Sequence, residues 1–318
     1  MVKEVNATND RNEQYLPAKR PSVIPEYFGS VIAVNGKAWP KHRVHRAVYR
    51  LTIINGCNSR FLALQLTSNG SPVPPFNVVM GDRGFLDEVS TQNHLVVGPM
   101  ERYTVLVDFR VARPGSEILL KNFGADVPLM RKKSLRPCGD GNKCDRPTND
   151  VMMFAVDGTV DNSYEIPEVL PRPRPYPFDR PVAGRRIISL VEGEDRMDRL
   201  TLLLNDRPFS LNAAKDLMPK FGTSEIWCFN NTTPDTHPMH VHLIAFKILH
   251  RVAHGRHGKR RKIPADKDER GPKDVVKVYP DMTTCIKTSQ FDLRGPYMVH
   301  CHILEHEDYV MMQTFTIV

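Results

Sequence analysis

The chain has 318 residues, 41% of them apolar, which is enough to bury substantial cores and, by length, to form about two domains of ordinary size. It holds no run of eighteen apolar residues, so no transmembrane segment is expected, and the start MVKEVNATND lacks the apolar stretch of a signal peptide. The formal charge of +8 owes much to residues 254–273, HGRHGKRRKIPADKDERGPK, where no aromatic platform is interleaved, so that segment reads as a solvated loop and not as a nucleic-acid surface.

In chain order, short runs of β-branched and aromatic residues punctuated by Gly, Pro and Asn predict strands at SVIAVNG (30–36), VYRLTIINGC (48–57), RYTVLVDF (102–109) and VMMFAVDG (151–158). A second set follows at RRIISLVEG (185–193), LTLLLND (200–206), HVHLIAFKIL (240–249), DVVKVYP (274–280) and MQTFTIV (312–318). Between the sets, EIPEVLPRPRPYPFDRPV is too rich in proline for a central strand or a helix interior and reads as a linker. The expectation is an all-β protein of two Greek-key sandwich or barrel domains, 29–164 and 185–318, joined by the linker 165–184 and preceded by an extension, 1–28. Six cysteines form no C-x-x-C pattern, and Cys138 with Cys144 reads either as a small loop disulfide or as two free thiols. Sequons at Asn6, Asn69, Asn230 and Asn231 permit a secreted glycoprotein.

The chemistry concentrates near the C-terminus. In HCHILEHEDYVMM, His300, Cys301 and His302 are consecutive, with His306 and Met311 following, and upstream His237-Pro-Met-His240-Val-His242 adds three imidazoles. Two imidazoles, one thiolate and a weak axial thioether form the blue-copper pattern, here His237, Cys301, His306 and Met311. Successive side chains of an extended segment point to opposite faces, so Cys301 faces one way and His300 and His302 the other. His240 and His242 alternate likewise and can meet them in a second, all-imidazole cluster. Zinc is the chemical rival, but a single thiolate and a surplus of histidine favour copper.

At these motifs the chain resembles the multicopper oxidases, in particular the group of spore-coat laccase, bilirubin oxidase and the plant low-phosphate-root ferroxidases. The stretches that carry the likeness are PEYFGSVIAVNGKAWP (25–40), YRLTIINGCNSRF (49–61), ERYTVLVDF (101–109), HPMHVHLIAFKIL (237–249) and GPYMVHCHILEHEDYVMM (295–312). The resemblance implies cupredoxin domains, with this chain matching the family's second and third. It also implies a mononuclear copper at His237, Cys301, His306 and Met311, and a trinuclear cluster in which His240 holds the lone copper and His242, His300 and His302 hold the coupled pair. Glu307 matches an acid that assists proton delivery in bacterial relatives, or else caps or pairs locally. For plant relatives the role is tied to the root response to low phosphate.

The family's first domain supplies two further H-x-H motifs, and this chain carries neither. The trinuclear cluster is therefore expected to be incomplete here. Three explanations stand: a fragment, ligands borrowed from another subunit, or a naturally shortened relative. The substrates implied are O2 and a small reductant, Fe(II) or a phenol, with electrons expected to enter at the edge of His237. Asp235 beside it, and Glu26 by likeness to the plant ferroxidases, are candidates to hold Fe(II), with Asp140 or Asp145 as a third; the plain alternative for each is a solvated acid. Against the oxidase reading stands a non-catalytic copper-binding or electron-transfer protein. Sequons and family likeness favour the secretory route.

Overall fold

A computed structural model describes residues 25–130, 146–171, 178–194, 196, 200–255 and 258–318, and the backbone of Val2–Val5. The chain divides into two compact units, one built on residues 28–129 and 133–171 with the first nine, the other on 172–318 with 10–27 and 130–132. Both are β-sandwiches, as the strand pattern predicts, and of the cupredoxin-like class that the family resemblance implies. Cys138, Cys144, Asp140, Asp145 and the Asn6 sequon lie outside the described residues.

In the first unit one sheet orders Val48–Ile54, Arg102–Asp108, Phe76–Gly81 and Gly84–Gln92, and another orders Lys41–Arg46, Asp150–Val160, Glu117–Asn122, Leu62–Thr67 and Leu95–Val97. Period-2 alternation sets the core: along Arg102–Asp108 the residues Tyr103, Val105 and Val107 are fully buried while their neighbours face outward. Phe109 packs edge-on to Tyr49 at 5.6 Å and against Phe154 at 5.1 Å. A third, small sheet carries the hairpin Val31–Val34 to Lys37–Ala38, whose Asn35-Gly36 turn has φ of 50° and 84°, the conformation a two-residue hairpin demands. Val2–Val5 pairs with Val31–Val34, so part of the expected extension is a strand. Leu170, expected in the linker, belongs to this unit's core.

The second unit has a six-stranded sheet in the order Leu200–Leu204, Val182–Glu194, Ser224–Asn231, Met282–Thr288, Phe246–His254, Arg260–Ile263. Facing it through a shared core is a four-stranded sheet ordered Val275–Val278, His237–Val241, Gly295–Cys301, Met312–Ile317. Trp227 is the largest buried side chain, edge-on to Phe315 at 5.2 Å, with its indole N–H donated to Glu225. A disulfide that the sequence reading missed joins Cys228 and Cys285, which stand directly opposite each other on paired strands.

Three local expectations change. The stretch 240–249 is not one strand: it breaks after Val241, where Leu243 takes a φ of 67°, and resumes at Phe246. A short helix, Leu304–Asp308, interrupts the C-terminal motif. The basic segment is solvated only in part, because Glu269 and Lys273 are about as buried as core residues, at 1% exposure each. The Glu269 carboxylate there accepts from Arg251 at 2.8 and 3.0 Å and pairs with Lys277 at 3.1 Å.

Candidate metal centre

Two adjacent strands build the site. His237–Val241 pairs antiparallel with Gly295–Cys301 so that Met239 stands opposite Cys301 and His240 opposite His300. Residues directly opposed in such a pair share a face. Met239 and Cys301 therefore point into the core, both fully buried, and His240 and His300 point to the other side. The strand ends at Cys301, and the helix Leu304–Asp308 turns the chain back so that His306 reaches the cysteine.

On the core face, Cys301 Sγ lies 3.6 Å from His237 Nδ1 and 3.6 Å from His306 Nδ1, and the two Nδ1 atoms are 3.2 Å apart. All three residues are fully buried and the thiol is free. Ligand bonds of about 2.0–2.3 Å in a trigonal array set donor atoms roughly 3.5–3.8 Å apart, so this triangle fits one small metal ion with slight expansion. Met311, also fully buried, is tied in by its backbone: Cys301 N–H donates to its carbonyl at 3.0 Å, and its own N–H donates to His306 O at 2.8 Å. Among the described residues three strong donors converge with a thioether in the same core cluster, a set that suits copper better than a zinc ion closed by four strong ligands.

The outer nitrogens of these imidazoles are held as a metal site requires. Thr233 Oγ1 lies 2.6 Å from His237 Nε2 and spends its own hydrogen on Asn231 Oδ1 at 2.8 Å, so it accepts from the ring and leaves Nδ1 with its lone pair toward the sulfur. Burial, then the charge of His306, holds His237 well below the usual imidazole range, in the neutral form that ligates. His306 Nε2 donates to Glu26 Oε1 at 2.9 Å. Asn231 itself is 2% exposed and donates both amide hydrogens, to Asp235 O and Val278 O, so this sequon is not open to modification.

Both imidazoles are fully buried, Thr233 covering the outer nitrogen of His237 and Glu26 that of His306, and Asp235 is influenced by Glu26 and His306. Burial first, then the charge of Glu26, raises Asp235 to about 6. Sequence reasoning missed a third acid, Glu192, raised to about 7 by burial and then by Asp235 and Glu26, with His306 opposing. Its signal was faint, one acid in an otherwise ordinary strand.

On the opposite face the second cluster forms. Nε2 of His242 and Nε2 of His300 are 3.1 Å apart, and His240 sits against His242, His300 and His302 at ring separations of 4.9, 5.3 and 5.5 Å. His302 lies 5.2 Å from His300. Again the far nitrogens are engaged: His240 Nδ1 donates to Asp274 O at 2.8 Å, and His300 Nδ1 to Cys301 O at 2.9 Å. Burial is the leading cause that lowers His240, to about 4, and also lowers His242 and His302, which keeps them neutral. Glu307 Oε2 lies 3.3 Å from His300 Nδ1, and this contact lowers the carboxyl, so Glu307 faces the cluster as an anion.

Comparison with known proteins agrees with this geometry. A multicopper oxidase family model matches residues 179–318. The chain is 32% identical to a laccase of Bacillus subtilis (strain 168) over 93% of its length, and 31% identical to multicopper oxidase LPR1 of Arabidopsis thaliana over 99%. It spans 56% of the length of each of these relatives. The structure of the McoA multicopper oxidase from the hyperthermophile Aquifex aeolicus superposes with a TM-score of 0.76 at 26% identity, covering 100% of this chain and 64% of that one. Residues 179–318 thus match the multicopper oxidase family, the chain as a whole is similar to its members in sequence and fold, and copper is the metal this likeness implies for its histidines and Cys301.

Proposed function

We propose that the chain is the electron-accepting part of a copper oxidase whose donor is Fe(II), with O2 as the final acceptor. Copper supplies one-electron acceptance at the Cys301 site and O2 reduction at the imidazole cluster. The observation that carries the ferrous reading is the 2.9 Å hydrogen bond from His306 Nε2 to Glu26, with Asp235 close enough to interact with both. Carboxylates are hard donors that bind Fe(II) and stabilise Fe(III) more, which makes loss of an electron easier. A phenolic donor gains little from such anions.

Four of the cluster histidines lie on this chain, and Glu307, an anion 3.3 Å from His300 Nδ1, is a group that can accept and pass on a proton beside the cluster. Four-electron reduction of O2 needs the ligands that the family's first domain supplies, so turnover is expected from an assembly that includes them. Taken alone, the chain is a copper-binding, electron-accepting protein. The Cys228–Cys285 disulfide supports an oxidising compartment and hence the secretory route.

The test is anaerobic mixing of the copper-loaded chain with Fe(II). Bleaching of the blue absorption at a rate that saturates with Fe(II) supports the reading; bleaching that is faster with a phenol and never saturates with Fe(II) overturns it.

A further inference from the structure

Three Asn–Gly steps occur in the chain, at 35–36, 55–56 and 69–70. Each carries the same chemistry, because glycine leaves its backbone nitrogen unshielded beside the asparagine side chain and lets the main chain turn freely. The fold treats the three differently.

Asn55 is fully buried. Its Nδ2 donates to Arg60 O and to Val97 O, both at 2.8 Å, and its Oδ1 accepts from Cys57 N at 3.0 Å. Its backbone N–H donates to Glu101 O and its carbonyl accepts from Met100 N, so the whole residue is locked. Asn35 is exposed, but it sits in the two-residue hairpin turn at a φ of 50°, with Val34 paired to Lys37 immediately outside it. Turning the Asn35 backbone to bring its Cγ onto the next nitrogen breaks that pairing.

Asn69 and Gly70 are both exposed, in the loop between Leu62–Thr67 and Phe76–Gly81. Among the described residues neither makes a hydrogen bond, and the surroundings of Gly70, whose φ is 75°, are open for 4 Å around a Cβ. Among the described residues the loop has one hydrogen bond to the rest of the unit, from Arg113 N to Ser71 Oγ at 3.1 Å, and it falls beyond the step. The amide and its nucleophile are thus both unprotected at this step, on a loop tip of the kind where chemical change concentrates.

We propose that Asn69 is a site of covalent modification, intramolecular deamidation through a cyclic imide. The Gly70 nitrogen attacks Asn69 Cγ: an N–C bond forms, the Cγ–Nδ2 bond breaks, and ammonia leaves with the proton of the Gly70 N–H. Water then opens the imide. Opening at Cγ leaves aspartate, and opening at the main-chain carbonyl leaves isoaspartate, with one more methylene in the backbone. One water is consumed, one ammonia is released, and nothing is oxidised or reduced. Either product adds a negative charge to the first unit, which carries none of the metal ligands.

The test incubates the full chain at mildly alkaline pH and follows each Asn–Gly peptide by mass spectrometry, with isoaspartate read by enzymatic methylation. The chain is made in a bacterial host, so that the sequon at Asn69 carries no glycan. A parallel sample is unfolded in guanidinium chloride, where the three steps are equivalent. The folded chain is expected to convert Asn69 nearly as fast as the unfolded one does, and to convert Asn35 and Asn55 more slowly by about tenfold or more, the cost of opening the structure around them. A folded chain that keeps Asn69 intact, or that converts Asn35 or Asn55 as fast as Asn69, overturns the assignment.

Discussion

The sulfur of Cys301 stands 3.6 Å from His306 Nδ1, while Nε2 of its neighbour His300 stands 3.1 Å from His242 on the opposite face of the strand. One peptide unit thus touches two metal sites, and a further contact, His300 Nδ1 to Cys301 O at 2.9 Å, shortens the path between them. Because the faces are distinct, the sites are expected to be separable. His300→Ala leaves the blue absorption of the copper-loaded chain at nearly full strength and removes copper bound by the imidazole cluster. Optical spectra with copper counted per chain check this, and a loss of the blue band contradicts it.

Thr233 acts on copper only through His237. Thr233→Val keeps the shape but removes the acceptor for the ring N–H, leaving His237 free to take the wrong tautomer. Copper affinity at the mononuclear site is expected to fall about 10- to 100-fold, the usual effect of losing a partner behind a ligating histidine. Competition with a chelator measures it; Thr233→Ser, which restores the hydroxyl, is expected to restore most of the affinity.

The acids that interact with His306 carry a pH dependence of defined sign. Glu192 stands at about 7 against an ordinary 4.5, and Asp235 at about 6 against 3.8, burial being the first cause in both. The folded state holds these protons more tightly than the unfolded one, so the stability they contribute is full below about pH 4 and is lost as pH rises through 6 and 7. In the copper-free chain, Glu192→Gln is therefore expected to be more stable than wild type at pH 8, by about 1 kcal/mol once the raised value is discounted for solvent at a half-exposed group, and equal to it at pH 4. Urea unfolding of the second unit at the two pH values checks this; the same difference at both contradicts it.

Cys228 and Cys285 are 57 residues apart in sequence, and closing a loop of that length restricts the unfolded chain by about 4 kcal/mol in the chain-entropy account. Replacing both with Ala is expected to lower the stability of the second unit by up to that amount. The substituted strands flank the core and carry no metal ligand, so the blue spectrum of the folded fraction is expected to persist.

Much of this was legible in the sequence because strands alternate. The placement of Cys301 and His300 on opposite faces follows from period 2 alone, and so does the meeting of His240 with His300. What was not legible came from contacts between distant segments. Glu26 reaches His306 across 280 residues, and the Cys228–Cys285 pair depends on a strand order that no spacing reveals. Proximity in sequence placed Asp235 beside His237, whereas its carboxyl is influenced by Glu26 and His306, a relation that depends on the fold of the turn held by Asn231 and Thr233. Glu269 and Lys273 were read as solvated from their charged neighbours, whereas Glu269 pairs with Arg251 and Lys277 inside the unit and Lys273 is equally buried.

The most direct test of the central claim is the absorption spectrum of the chain loaded with Cu(II), compared with Cys301→Ser. The account predicts an intense blue band with one copper bound at the Cys301 site, and its complete loss in the serine variant while copper at the imidazole cluster remains. A blue band that survives Cys301→Ser, or a wild type that binds copper without one, contradicts the account.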